Sequence, residues 1–292
     1  MRSSQSTGSD PRSERAARSA ASDGQRYGGV IDGWRGVTSV KLFEKCAIVT
    51  GAATGIGEAY AHALAAHGAR VVIADIDEKG ATKVAADLEA TGAQALAARA
   101  DVTSEGDLAR LVERATEAFG GVDILVNNAG LNTPEVFGPC ATIERDVWRR
   151  LLEVNVTGAL NATAACRDGM RERGGGVVVN QSSVSAYLSV PSAYAVSKVA
   201  LNGLTASLAA ELAPDGIRVN GLAPSTMESD TRPAMRTFSE EERQQFLSQQ
   251  LIHRFGRMDE LAEVLIFLCS DESAFITGQT LLFDGGMVRR TG

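Results

Sequence analysis

From residue 40 onward the chain alternates short apolar runs with longer stretches of helical periodicity, without a break in composition. The runs are Cys46–Thr50, Arg70–Ala74, Ala95–Ala100, Asp123–Gly130 with its polar exit, Val177–Asn180, Ile217–Ala223 and Gln279–Phe283. Each is too short for a stable helix. Near-continuous apolar character suits strands buried on both faces. Helical patterns fill the intervals: Glu58–Ala66, Glu78–Ala90, Ser104–Phe119, about 142–169, Pro191 or Ser192 to Leu212, and Met258–Cys269. Strand–helix alternation of this kind builds a parallel sheet with helices on both faces. The fold expected is α/β, a doubly wound parallel sheet in a single domain.

Composition bounds the rest. Residues 1–36 are rich in Ser, Arg, Gly and Asp and poor in large apolar side chains. They read as a disordered N-terminal extension, because they bury too little surface to offset their ordering entropy. Asp10, Glu14 and Asp23 argue against an organelle-targeting peptide. The domain then spans 37–292. A net charge of −7 argues against nucleic acid or an acidic membrane as partner. No apolar run approaches the ~18 residues that cross a bilayer. The four cysteines form no CxxC pair, so they read as reduced, mostly buried small hydrophobes, and the expected location is cytoplasmic. The three histidines have no metal-ligand spacing, and no metal is expected.

Two stretches carry chemistry. The first is Thr50-Gly51-Ala-Ala-Thr54-Gly55-Ile56-Gly57, between an apolar run and a helical one. Glycines at such a junction let the backbone turn tightly and approach a pyrophosphate, and the helix start offers free amides to it. Asp75 ends the next apolar run, 18 residues past Gly57. Its carboxylate is suited to the adenosine ribose hydroxyls and would repel a 2′-phosphate. Neither Ala53 nor Thr54 supplies a compensating cation, so NAD is expected over NADP. The second stretch runs from Asn180 to Lys198. Tyr194 and Lys198 are four residues apart and share one helix face, with serines just upstream. A tyrosine beside an ammonium suits proton transfer. Useful phenolate at neutral pH needs a shift of about 3 units, roughly 4 kcal/mol, and a neighbouring cation pushes in that direction.

The Thr50–Gly57 spacing, with three residues between the first two glycines, occurs here with Asn127-Asn128-Ala129-Gly130, Asn155, the pair Ser182-Ser183 and Tyr194-Ala-Val-Ser-Lys198. In that order these motifs resemble the short-chain dehydrogenase/reductase family over about residues 40–288. The resemblance implies a seven-stranded Rossmann-type sheet. It also implies a homotetramer or homodimer packed through the helices that carry Asn155 and Tyr194. Carried over residue by residue, it makes Tyr194 the general acid/base and Lys198 the ligand of the nicotinamide ribose. Asn155 becomes the holder of a relay water. Asp101 and Val102 become adenine contacts, and Asn128, Ala129 and Gly130 the loop along the adenosine and ribose. Asn127 is expected to brace the sheet instead.

Two departures stand out. The family's working serine usually lies slightly further upstream of its tyrosine; here Ser182 and Ser183 lie 12 and 11 residues before Tyr194. Ser183, the second of the pair, is chosen, with Ser182 and Ser185 as alternatives. The family's Pro-Gly after the sixth strand reads Pro224-Ser225. Residues of about 226–252 resemble the family's substrate lid, with Met235, Phe238 and Phe246 as apolar candidates; Tyr187 and Leu188 are further pocket-wall candidates. The function implied is hydride transfer between NAD(H) and a secondary alcohol or ketone on a partly apolar small molecule. The alternatives are a 3-oxoacyl-type reductase on a carrier-linked substrate and a catalytically silent NAD-binding regulator. An epimerase or dehydratase of the related extended type would have a tighter glycine spacing, which is not seen.

Overall fold

The structure, a computed structural model, describes residues 40–228 and 239–289. The extension expected over 1–36 and the lid candidates Met235 and Phe238 lie outside the described residues. Seven strands form one parallel sheet: β1 Cys46–Thr50, β2 Arg70–Asp75, β3 Ala95–Arg99, β4 Ile124–Asn127, β5 Gly176–Gln181, β6 Ile217–Pro224 and β7 Thr280–Phe283. Their order is β3-β2-β1-β4-β5-β6-β7. The helices are α1 Gly55–Ala66, α2 Glu78–Ala90, α3 Glu105–Phe119, α4 Arg145–Leu152, α5 Gly158–Glu172, α6 Ala193–Leu212, α7 Glu240–Leu247 and α8 Met258–Cys269.

The apolar runs become strands because alternate side chains feed two separate cores. Ala47, Val49, Val71, Ile73, Ile124, Val126 and Val179 point to a core shared with α1, α2 and α8. Cys46, Ile48, Val72, Ala74, Leu125 and Val178 point to the opposite core, shared with α3, α5 and α6. Each fully buried Leu or Ile in these layers contributes about 1.5–3 kcal/mol, so slipping one strand by a residue would exchange the two cores.

Local signals set the helix ends. Asp77, Ser104 and Ser192 accept bonds from the amides of Gly80, Asp107 and Ala195 at the starts of α2, α3 and α6. Two differences from the sequence expectation bear on the site. Helix α1 begins at Gly55 rather than Glu58, because Thr54 is extended and Gly55, Ile56 and Gly57 form the first turn. The helical stretch expected over about 142–169 is divided: a π turn, Glu153–Thr157, joins α4 to α5 and contains Asn155. In the region expected to be a lid, Met227 is fully buried in the core, and Phe246 stacks at 5.9 Å on Phe255. No helix of the described residues is long and apolar enough to cross a membrane.

Burial lifts the thiols of Cys46, Cys166 and Cys269 to about 12. Cys140 alone among the four is partly exposed. The folded protein at about pH 8 should therefore yield no more than one thiol per chain to an aromatic disulfide reagent, and all four after denaturation. Titration of two or more thiols before unfolding would contradict this packing.

Candidate active site

Adjacent strands β1 and β4 send their following helices to opposite faces, which opens a crevice at their carboxyl ends. A cleft of about 400 Å³ occupies that position. Gly51, Thr54, Gly55 and Ile56 line one end, with Asp75, Asp101 and Val102 beside them. Asn128, Ala129 and Gly130 also line the cleft, as do Ser182 and Ser183 just past β5 and Tyr194 and Lys198 on α6. Of the residues singled out from sequence, Gly57 and Asn155 do not line the cleft; they sit behind its wall.

The glycine loop is shaped by close backbone approach. Gly51 has φ +65°, and a Cβ there would lie 2.7 Å from the Ala129 Cα. A Cβ on Gly57 would collide with the Gly51 carbonyl oxygen and lie 2.5 Å from Asn128 Nδ2. That amide group donates to the carbonyls of Thr50 at 3.0 Å and Gly51 at 2.8 Å. Thr50 Oγ1 in turn accepts from the amides of Asn128 and Ala129, each at 3.1 Å. The side chain of Asn128 therefore braces the loop at the edge of the cleft. Asp75 is held by the amides of Ala53 (2.9 Å) and Asp77 (3.0 Å). Asp101 accepts from the Thr103 amide and hydroxyl and pairs with Arg150 at 3.5 Å; these bonds, the Thr103 hydroxyl first, hold its carboxyl below the usual range.

At the other end, Lys198 is 3% exposed and its Nζ donates to the Gln181 carbonyl at 2.7 Å. It lies 5.5 Å from the centre of the Tyr194 ring, which packs at 5.0 Å against Phe137. Asn155 is 1% exposed. Its Oδ1 accepts from the Leu131 amide at 2.7 Å, and its Nδ2 donates to Ser197 Oγ at 3.1 Å. Asn155 thus ties the loop after β4 to helix α6 from within the π turn. Asn127 braces the sheet as expected, donating to Thr163, Asn180 and the Ala159 carbonyl.

The two serines differ. Ser182 is 2% exposed and donates its hydroxyl to Asn202 on α6 at 2.6 Å. Ser183 is less buried, and its hydroxyl makes bonds of 3.2 Å with the amide and hydroxyl of Ser185. Ser225 Oγ lies 3.1 Å from the amide of Gln250, a 2%-exposed residue. With that amide oriented to donate to the Ile252 and Arg254 carbonyls, it accepts from Ser225. The side chain standing in place of the usual glycine is thus tied to the segment after α7. Sequence reasoning missed Ile76, Leu131, Asn132, Arg150, Val154 and Gln181, which also line the cleft. Arg150 and Val154 had a usable signal, being four residues apart on the helical stretch leading to Asn155. Tyr187 and Leu188, expected as pocket wall, are half-buried beside the cleft and do not line it.

Residues 51–288 match a family model described as enoyl-(acyl carrier protein) reductase. An uncharacterized oxidoreductase of Mycobacterium tuberculosis is 44% identical over 248 residues, covering 85% of this chain and 98% of the relative. Human dehydrogenase/reductase SDR family member 4 is 38% identical over 252 residues, 85% of this chain and 89% of that protein. The chain belongs to the short-chain dehydrogenase/reductase family. Two solved members share its architecture. One is a 7α-hydroxysteroid dehydrogenase complexed with NADH and 7-oxoglycochenodeoxycholic acid: TM-score 0.80, 35% identity, covering 86% of this chain and 97% of that one. The other is a Burkholderia cenocepacia gluconate 5-dehydrogenase complexed with NADP and tartrate: TM-score 0.79, 34% identity, covering 85% and 96%. The chain is accordingly an oxidoreductase of a family whose dehydrogenases use nicotinamide cofactors. The site suits such a group, because a Cβ on Gly51 or Gly57 would collide with the loop beside the first turn of α1, and Asp75 stands at the same end of the cleft.

Burial holds Lys198 down at about 8, against an ordinary 10.5. Between those values the unfolded chain binds more protons than the folded one, so this lysine makes stability rise with pH there, and its burial penalty is complete below about 8. Lys198→Met should therefore be more stable than the native chain at about pH 7, by roughly 1–3 kcal/mol after the lost bond to Gln181 is offset. The gap should close toward pH 10.5. Urea unfolding at neutral and alkaline pH measures it; equal or lower stability of the variant at neutral pH would contradict the cost of burying the ammonium.

Proposed function

We propose that this oxidoreductase transfers hydride between NAD(H) and a secondary alcohol or ketone carried by a partly apolar small molecule. The observation that carries the reading is Tyr194, one helical turn from the buried Lys198, in the same cleft as the glycine loop and Asp75. When bound, the nicotinamide supplies the hydride acceptor for oxidation or the donor for reduction. Tyr194 takes the alcohol proton in oxidation and returns it in reduction. The Lys198 ammonium favours the phenolate through charge and is oriented by the Gln181 carbonyl, which leaves further donors for the nicotinamide ribose. Ser183 holds the substrate oxygen; the commitment of the Ser182 hydroxyl to Asn202 supports that choice. The side chain of Asn155 is already bonded to Leu131 and Ser197, so a relay water held there meets its backbone.

The preference for NAD is supported by Asp75, a fixed carboxylate where a 2′-phosphate would lie. Arg150, a cation in the cleft lining, is occupied by Asp101. Gly51, Thr54, Gly55 and Ile56 meet the pyrophosphate, with Gly57 keeping the loop closed. Asp101 and Val102 meet the adenine, and Asn128, Ala129 and Gly130 the sugars. The lid expected over about 226–252 extends beyond the described residues; within them Phe246 is its remaining apolar candidate. Dimers or tetramers form through α5 and α6, where Leu160, Val196 and Val199 expose apolar side chains. The hydroxysteroid dehydrogenase among the similar structures supports a bulky, partly apolar alcohol. The description of the matching family favours a second reading, reduction of a carrier-linked acyl substrate.

A screen of NAD reduction over hydroxysteroids, cyclic diols, sugar alcohols and 3-hydroxyacyl thioesters tests the reading. Turnover with NAD should exceed that with NADP, and Asp75→Asn should narrow the difference. Tyr194→Phe should lower kcat by about 100-fold or more. Undiminished turnover in that variant would refute the mechanism, whereas preferred turnover of acyl thioesters with the phosphorylated cofactor would favour the second reading.

A further inference from the structure

One buried hydrogen bond has no part in the chemistry proposed above. Tyr60 lies on α1, whose first turn lines the cleft. Its side chain is 1% exposed, and its hydroxyl donates to Gln181 Oε1 at 2.6 Å. Gln181 ends β5 and is itself buried. Its Nε2 donates to the Ser182 carbonyl at 3.1 Å, while its own carbonyl accepts from Lys198 Nζ at 2.7 Å. One residue therefore ties three things together: the helix beside the glycine loop, the ammonium next to Tyr194, and the peptide that leads into Ser183.

We propose that Tyr60 and Gln181 act as a positioning pair, whose hydrogen bond fixes the Gln181 and Ser182 peptides so that one carbonyl holds Lys198 and Ser183 emerges at the cleft. The proposal rests on the roles given above to Lys198 and Tyr194. Stability alone does not call for this pair. Tyr60 packs within an apolar core, and replacing both members of a buried polar pair by apolar groups of similar shape is close to neutral. What apolar packing lacks is direction. A hydrogen bond to Oε1 selects one amide orientation, and that orientation puts Nε2 on the Ser182 carbonyl. Strand pairing secures the rest of β5 through Gln181 and Leu222, but the chain leaves the sheet at Ser183, where ladder bonds no longer constrain it. The side-chain bonds of Gln181 and Ser182 act at that exit.

No second charge enters from the pair or from α8. Burial raises the Tyr60 hydroxyl well above its ordinary value, and the Cys269 thiol near it sits at about 12. Both are neutral over the working range, so Lys198 responds to the Gln181 carbonyl as a dipole and to Tyr194. Displacing that carbonyl removes an acceptor that favours the charged lysine.

Tyr60→Phe, Gln181→Met and the double variant test the proposal through NADH binding, followed by fluorescence over about pH 6–10, together with thermal melts. In the native protein NADH affinity should fall as pH passes through about 8, where the ammonium is lost. In each single variant the midpoint should move to lower pH, and affinity near pH 8 should fall about tenfold, equivalent to about 1.4 kcal/mol. Each single variant should also melt lower, because one buried polar group loses its partner. The double variant should regain the melting temperature yet keep the displaced midpoint. A double variant that recovers the native pH profile along with its melting temperature would show a merely structural pair and overturn the proposal. So would single variants with a native profile. Turnover of Tyr194→Phe decides the mechanism separately and is not read in these binding profiles.

Discussion

Everything at the site depends on the divergence of the chain after β1 and β4. The two strands lie side by side, but α1 packs on one face of the sheet and α5 on the other. The cleft opens between those exits, and at its edge the loop after β1 passes so close to the loop after β4 that a side chain at Gly51 or Gly57 would collide. Gly51 and Gly57 meet that constraint by having none. The brace of Thr50 and Asn128 then converts the close approach into a rigid loop. The first turn of α1 presents amides at one end of the crevice, and β5 with α6 brings Tyr194 and Lys198 to the other.

The second feature is a polar seam through the sheet centre. Asn127, Asn180, Thr163 and Thr205 are buried and bonded to one another. Gln181, Ser182, Asn202 and Lys198 continue the seam toward the cleft. Such groups cost free energy when desolvated, and their bonds return little beyond that cost. Their effect is on orientation. The seam sets where β5 ends and how Lys198 points, while the apolar layers on either side supply the stability. Lys198 itself works against folding at neutral pH, a cost accepted where a cation is held ready for use.

Much of the fold was legible in the sequence because apolar runs and helical periods are local signals. Strand β1 and helix α8 match their expected bounds, and α6 begins within one or two residues of them, since Ser192 caps it. Helix α1 starts earlier than its apolar pattern predicts, because glycines read as loop although the extended Thr54 allows them to form the first turn. The π turn at Asn155 was invisible for a different reason. It occurs where Asn155 bonds to Leu131 and Ser197, both distant in sequence. The same limit applied to the serines: Ser182 and Ser183 are alike in the chain, and only Asn202, twenty residues on, separates them.

The sequence by itself determined the class of fold, the place of the glycine loop, the acid at the end of β2 and the Tyr194–Lys198 pair, because each is written in residues adjacent along the chain or one helical turn apart. Tertiary structure alone decided which of those residues face the cleft and which stand behind it. Gly57 and Asn155 were drawn into the wall, whereas Arg150 and Gln181 were brought to the cleft surface. The physical reason is that a cleft is a property of several strand ends at once. Which side chain reaches it depends on bonds between segments that the order of residues does not display.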